Sequence, residues 1–214
     1  MPTALLITIA RLPSASLLAI QLLGLLLYPL MEESPASQLL LSGFGLLVLA
    51  AALRMVRRGP TMIWLAWMLA GMILGLLLLN HFWLKPSLPL MISALESMFY
   101  FYTAYGLIAY MMEDQRATTD ELFATGATFT LLAWAFAHVF QLCQLLAPGS
   151  FGEARSWLEL LYVSFSALSG MGMSDILPVH PMARSLVMIE AFVGVMYIAL
   201  VVSRVIGLTI RRLR

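Results

Sequence analysis

Charge is the scarcest thing in this chain. Of its 214 residues only 11% are Asp, Glu, Lys or Arg, the formal net charge is +1, and 62% are hydrophobic, with a mean hydropathy of +0.94. Soluble domains carry about 25% charged residues, so an ordinary water-soluble fold is excluded. A balance this close to neutral also gives no basis for binding nucleic acid. Cysteine is nearly absent: Cys143 alone makes neither an intrachain disulfide nor a cysteine metal site. His81, His138 and His180 lack the spacing of a metal set, so no metal and no other cofactor is expected. The first residues have no basic n-region and no small-residue cleavage site, and the first apolar run is expected to be retained.

What the chain has instead is apolar runs, at about 14–31, 37–55, 61–80, 88–112, 121–146 and 183–208. A membrane span takes about 20 such residues, so there is room for about six. The breaks are chemically legible. Glu32, Glu33 and Pro35 end the first run, and Arg57, Arg58, Gly59 and Pro60 the second; Lys85, Pro86 and Pro89 separate the third from the fourth. "MEDQRATTDEL" follows the fourth, and within it Thr118 and Glu121 have capping-box spacing, the mark of a fresh helix start. With six spans drawn, Arg11, Arg54, Arg57, Arg58, Arg116, Arg204, Arg211, Arg212 and Arg214 fall on one side. Only Lys85, Arg155 and Arg184 fall on the other, which places both termini in the cytoplasm. The fold class expected is an all-α integral membrane protein.

One piece, 147–182, fits neither a span nor a solvated loop. "SWLELLYVSFSAL" makes about three and a half turns of helix, too short for a hydrocarbon core of about 30 Å, so it must enter and return. "SGMGMSDILPV" then follows, non-helical by its glycines and proline. Such backbone is tolerated at membrane depth only where protein buries it or a water-filled cavity receives it. The pattern therefore implies a pore or a binding cavity.

The stretch "LLYVSFSALSGMGMSDILPVHPMARSLVMIEAFVGVMYIALVVSRVIGL" resembles the pore helix, selectivity filter and inner helix of the potassium channel superfamily, in particular its short bacterial six-span channels with a single pore loop. The resemblance covers about 118–208; the earlier spans match only in number and hydropathy. It implies six transmembrane helices with a re-entrant pore helix and filter between helices 5 and 6, a four-helix membrane domain at 1–112 and a pore domain at 113–214. It also implies a homotetramer around one axis in the bacterial inner membrane, with lipid and cations as its partners, passing K+ or Na+ and performing no enzymatic reaction.

The filter departs from the family pattern. Threonine-threonine-valine-glycine-tyrosine-glycine-aspartate falls, without gaps, on Ser169, Gly170, Met171, Gly172, Met173, Ser174 and Asp175. Gly170 lacks the hydroxyl that helps replace the hydration shell of the ion. Ser174 stands where a glycine reaches positive φ, with an expected strain of order 1 kcal/mol per subunit if the local backbone is unchanged. Met173 replaces a tyrosine that braces the filter from behind, and a thioether is a poor hydrogen-bond partner, so the brace is expected to be lost. A wider or shorter filter with weakened or altered selectivity follows.

Around the filter, Asp175 is expected at the outer mouth, where four copies would concentrate cations. Glu190 sits inside the last span, where an ionisable group has a partner or faces a cavity; it reads either as a support or proton-sensitive group behind the filter or as an acid simply paired or neutral. Gly194 matches the position of a gating-hinge glycine, or serves close packing. Ile198 and Val202, with Val201 and Val205, are candidates for a hydrophobic constriction, or face lipid. Glu96 reads as a packing or interfacial group, Glu159 as a favourable charge at a helix N-terminus, Gly71 and Gly75 as a packing pair, and His180 as a weak proton-sensing candidate. The run 88–112 contains no Arg or Lys, so voltage sensing is not expected. The sequence ends at Arg214, directly after the last run, so no cytosolic ligand-binding domain is expected. Two alternatives stand beside a channel: a non-conducting channel-like scaffold or modulatory subunit, and a membrane enzyme or transporter, for which convergent polar groups and internal repeats are lacking.

Overall fold

The computed structural model describes residues 13–32, 45, 47–54, 62–82, 87–113 and 119–212. Among the described residues the bounded helices are, in chain order, α1 (Pro13–Glu32), α2 (Ile63–Phe82), α3 (Leu88–Glu113), α4 (Thr119–Leu146), α5 (Trp157–Leu168) and α6 (Pro181–Arg212). Residues 47–54 are helical as well, within the second apolar run. No strand occurs among the described residues. Thr118, and Arg11, Arg57, Arg58, Lys85, Arg116 and Arg214 of the orientation argument, lie outside them.

Three helices among the described residues are long and apolar enough to cross a bilayer: Ile63–Asn80, Asp120–Leu146 and Pro181–Arg204. The α1 segment Ser14–Leu27 and α5 are shorter apolar helices. Helix α3 has 26 residues, about 39 Å. Its apolar character is diluted by Ser93, Glu96, Ser97, Thr103 and several tyrosines. Ser93, Ser97 and Thr103 are buried, so these polar groups face protein.

The packing divides into two units: Met1–Ala70 with Tyr102–Thr130, and Gly71–Phe101 with Leu131–Arg214. In the first, the Ser14 backbone N–H and hydroxyl donate to the two carboxylate oxygens of Asp120 at 3.1 and 2.9 Å. An acid from α4 thus caps the N-terminus of α1, where free N–H groups and the helix dipole both favour it. Further along, Thr130 Oγ1 donates to the buried Gln21 Oε1 at 2.7 Å. Gly126 leaves room for Leu18, whose Cδ2 would lie 2.9 Å from an added Cβ.

In the second unit, Phe140 and Cys143 of α4, Phe151, Leu160 and Val163 of α5, Ile176, and Ala183 of α6 share one core. Beside it, Tyr100, Trp134, His138 and Trp157 form a chain of ring contacts. A Cβ added at Gly71 or at Gly75 would meet nothing within 4 Å among the described residues.

Candidate functional site

Why α5 starts where it does is answered by four residues. In "SWLE", the Ser156 hydroxyl accepts from the Glu159 N–H at 3.3 Å, and the Glu159 carboxylate accepts from the Ser156 N–H at 2.7 Å, a complete capping box. Arg155 adds an ion pair to Glu159 at 3.0 Å. The side-chain amide of Gln144 pairs the Arg155 backbone in both directions, at 2.8 and 3.0 Å, so the entry to α5 is fastened to the end of α4. The spacing S-x-x-E was present in the sequence, and gives Glu159 more than a dipole role.

Ser156→Ala is expected to lower the free energy of unfolding by about 1 kcal/mol, seen as a lower denaturant midpoint. The Ser156 backbone N–H, and after it Arg155, hold the Glu159 carboxyl below the usual carboxylate range against an opposing effect of burial. A depressed folded-state value means stability that is present above the ordinary glutamate value of about 4.3 and lost as pH falls through the depressed one. Glu159→Gln should remove that acid-side dependence.

Helix α5 stops at Leu168, with Ser169 as its C-cap, and the chain turns back through two left-handed glycines, Gly170 (φ 71°) and Gly172 (φ 61°). No described non-glycine residue has positive φ. Ser174 therefore carries no such strain, contrary to the expectation above. The left-handed positions sit two residues earlier than the ungapped comparison placed them, and both are occupied by glycine. The residues between the glycines and beyond them, Met171 and Met173, are each 71% exposed within one chain. Among the described residues, no hydrogen bond ends on the carbonyls of Ser169, Gly170, Met171 or Gly172.

The segment is held from behind by α5. Gly172 N–H donates to the Ser166 carbonyl at 3.2 Å, and Ser174 N–H to the Ser166 hydroxyl at 2.8 Å. The Tyr162 hydroxyl donates to the Met173 carbonyl at 2.9 Å. The brace expected to vanish with the filter tyrosine is thus supplied from the opposite direction, by a tyrosine on the helix. Asp175 is exposed. Beyond it, Val179 and His180 donate their N–H groups to the Ser150 carbonyl at 2.8 and 3.3 Å, tying the exit to the loop before α5. His180 Nδ1 accepts from the Met182 N–H at 3.3 Å, which makes this imidazole the cap of α6.

Helix α6 turns one face to α5. Ala183, Glu190, Gly194 and Tyr197, at helical spacing, are buried. Glu190 has no solvent exposure and is hydrogen-bonded through Oε1 to the Ser164 hydroxyl, which also reaches the Ala133 carbonyl at 2.7 Å. A hydroxyl has one proton to give, so both contacts are satisfied when the Glu190 carboxyl is itself the donor to Ser164. Glu190 Oε2 has no hydrogen-bond partner among the described residues. One turn on, a Cβ at Gly194 would lie 1.9 Å from the Leu168 carbonyl oxygen, so α6 touches the end of α5 at backbone distance. Ile198 and Val202, which continue the i, i+4 series from Glu190 and Gly194, are exposed within one chain.

Glu96 and His138, which no motif connects in the sequence, lie 3.1 Å apart between Oε2 and Nδ1. The His138 ring stacks on Tyr100 and contacts Trp157, the first residue of α5. Among the described residues no group of three or more His, Cys, Asp or Glu is placed to hold a metal ion.

A family model described as ion channel matches residues 128–211, which hold most of α4 together with α5, the 169–175 segment and α6. No curated protein and no solved structure matches the chain. The matched region is thus similar to the two-helix, potassium-channel-like class of ion channels, in keeping with the apolar helices of a membrane protein.

Proposed function

We propose that the chain is one subunit of a homotetrameric cation channel, passing monovalent cations, K+ or Na+, passively through a path lined by 169–175, with weakened or altered potassium selectivity. The observation that carries this reading is the backbone at the turn of the re-entrant segment: left-handed Gly170 and Gly172, with four consecutive carbonyls from Ser169 to Gly172 that no donor among the described residues occupies. Carbonyls left unpaired at membrane depth are costly, and a dehydrating cation is a partner that repays them. One chain cannot surround an ion. The exposed apolar residues of α6, Met188, Ile189, Phe192 and Val195 among them, suit burial against other copies and lipid.

In this reading the protein has six spans, with residues 1–112 as a membrane domain and 113–214 as the pore domain. Both termini are cytoplasmic, the location is a cell membrane of the bacterial inner type, and no cofactor takes part. Asp175 forms a ring at the outer mouth, while Ile198 and Val202 narrow the inner one. The test is ion flux from liposomes holding purified protein, under separate K+, Na+ and Ca2+ gradients, beside Gly172→Asp. Wild-type flux that this substitution abolishes or re-ranks supports the channel. Absence of flux from a protein shown to be tetrameric favours the non-conducting scaffold, a reading to which the occupied Met173 carbonyl lends weight.

A further inference from the structure

The peptide joining Met173 to Ser174 is pinned at both ends by one helix. Its carbonyl accepts from the Tyr162 hydroxyl at 2.9 Å, and its N–H donates to the Ser166 hydroxyl at 2.8 Å. Tyr162 and Ser166 are four residues apart on α5, so they share a face and are separated along the axis by about 6 Å. In a planar trans peptide the C=O and N–H point in opposite directions. The two pins therefore lay this peptide along α5, oxygen toward the start of the helix and N–H toward its end. Ser166 holds a second alternate N–H, that of Gly172, on its own carbonyl.

The consequence falls on the oxygen. The carbonyls of Ser169, Gly170, Met171 and Gly172 accept nothing from the described residues, whereas the next one, at Met173, already has a donor. An acceptor turned toward a tyrosine behind it is not offered to an ion in front. We infer that Tyr162 is a specificity-determining residue: its hydroxyl draws the Met173 carbonyl out of the ion path and ends the run of ion-facing carbonyls at Gly172, with Ser166 as the anchor that keeps the peptide in this orientation. The inference rests on the channel reading and says which side chain sets the length of its filter. Discrimination between cations depends on the number and field strength of the coordinating carbonyls, so a run shortened by one layer replaces the hydration shell less completely and discriminates less.

Tyr162 is about half exposed within the chain, and Tyr162→Phe keeps the ring while deleting the hydroxyl. With the carbonyl released, the K+/Na+ permeability ratio from reversal potentials is expected to rise about fivefold, the scale of one hydrogen bond. Tyr105→Phe, at an exposed tyrosine of α3, should leave the ratio unchanged. Ser166→Ala should alter the ratio as well, and Ser166→Thr, which keeps a hydroxyl, should restore it.

A second measurement does not need conduction. Met173–Ser174 is the only Met-Ser step in the sequence, so the full chain labelled with carbonyl-13C methionine and 15N serine yields one carbonyl-to-amide cross-peak, that of this peptide. Loss of its hydrogen bond in Tyr162→Phe should move the carbonyl shift upfield. A cross-peak that does not move overturns the clamp, and a cross-peak that moves with the permeability ratio unchanged overturns the role in specificity. A wild type that passes no ion while the peak still moves overturns the channel reading and the specificity role with it, and leaves the clamp as a structural contact only.

Discussion

Gly194→Ala is expected to disable the pore region. The added Cβ would sit 1.9 Å from the Leu168 carbonyl oxygen, 2.7 Å from its carbonyl carbon and 2.9 Å from its Cα. All three are backbone atoms, so no rotamer change relieves the clash. Ordinary contact begins near 3.4 Å, and α6 or the end of α5 has to retreat by the difference, about 1.5 Å. Overpacking a core that can repack costs about 1–3 kcal/mol; a backbone-to-backbone clash belongs at or above the top of that range. Leu168 is the last residue of α5, and the Ser169–Gly172 turn begins at the next one. A displacement there reaches the proposed ion path directly. The expected result is loss of flux together with a lowered unfolding midpoint of several degrees, the scale of such a change in free energy.

Gly71→Ala is the matched control, since a Cβ added there would meet nothing within 4 Å among the described residues. It also separates two roles for Gly194. A hinge glycine is wanted for bending, and alanine in its place leaves the resting packing intact; a contact glycine is wanted for closeness, and alanine destroys the packing at rest. Unchanged stability in Gly194→Ala would overturn the contact role.

The helices were legible because apolar runs and their Pro, Gly and charge punctuation are local signals: the expected runs at 14–31, 61–80, 88–112, 121–146 and 183–208 lie on α1, α2, α3, α4 and α6. The short α5 was legible for the same reason, and its capping box stood in the sequence as "SWLE". What joins the elements was less visible. Glu96 and His138 carry no shared motif, yet they lie 20 residues before and 22 after Arg116, so a hairpin between α3 and α4 brings them to nearly the same depth. With the rule that ionisable groups in apolar spans find partners, that symmetry pointed to the pair.

The filter backbone at Ser174, and the source of the brace behind Met173, escaped the sequence for a different reason. A residue-by-residue comparison assumes that each position keeps its backbone conformation. Here the left-handed pair moved to Gly170 and Gly172, and the bracing hydroxyl moved from the filter to Tyr162. Neither shift has a period or a spacing to announce it.

Ser164→Ala is expected to be more damaging than Glu190→Gln. Ser164 and Glu190 are both without solvent exposure, and among the described residues Ser164 supplies the one hydrogen bond the Glu190 carboxyl makes. Truncating the serine leaves the whole carboxyl buried with nothing to bond, and an unsatisfied buried polar group costs about 1–3 kcal/mol. Glu190→Gln keeps a donor of the same size facing Ser164 and should cost far less. The double change Ser164→Ala with Glu190→Leu removes both ends of the interaction, and replacing both partners by apolar groups is close to neutral. Unfolding midpoints should therefore fall most for Ser164→Ala, little for Glu190→Gln, and recover in the double variant. A double variant less stable than Ser164→Ala alone would instead mean that the pair fixes the geometry of α5 against α6. The order of the three midpoints thus decides whether Glu190 is held by its neighbours or holds them.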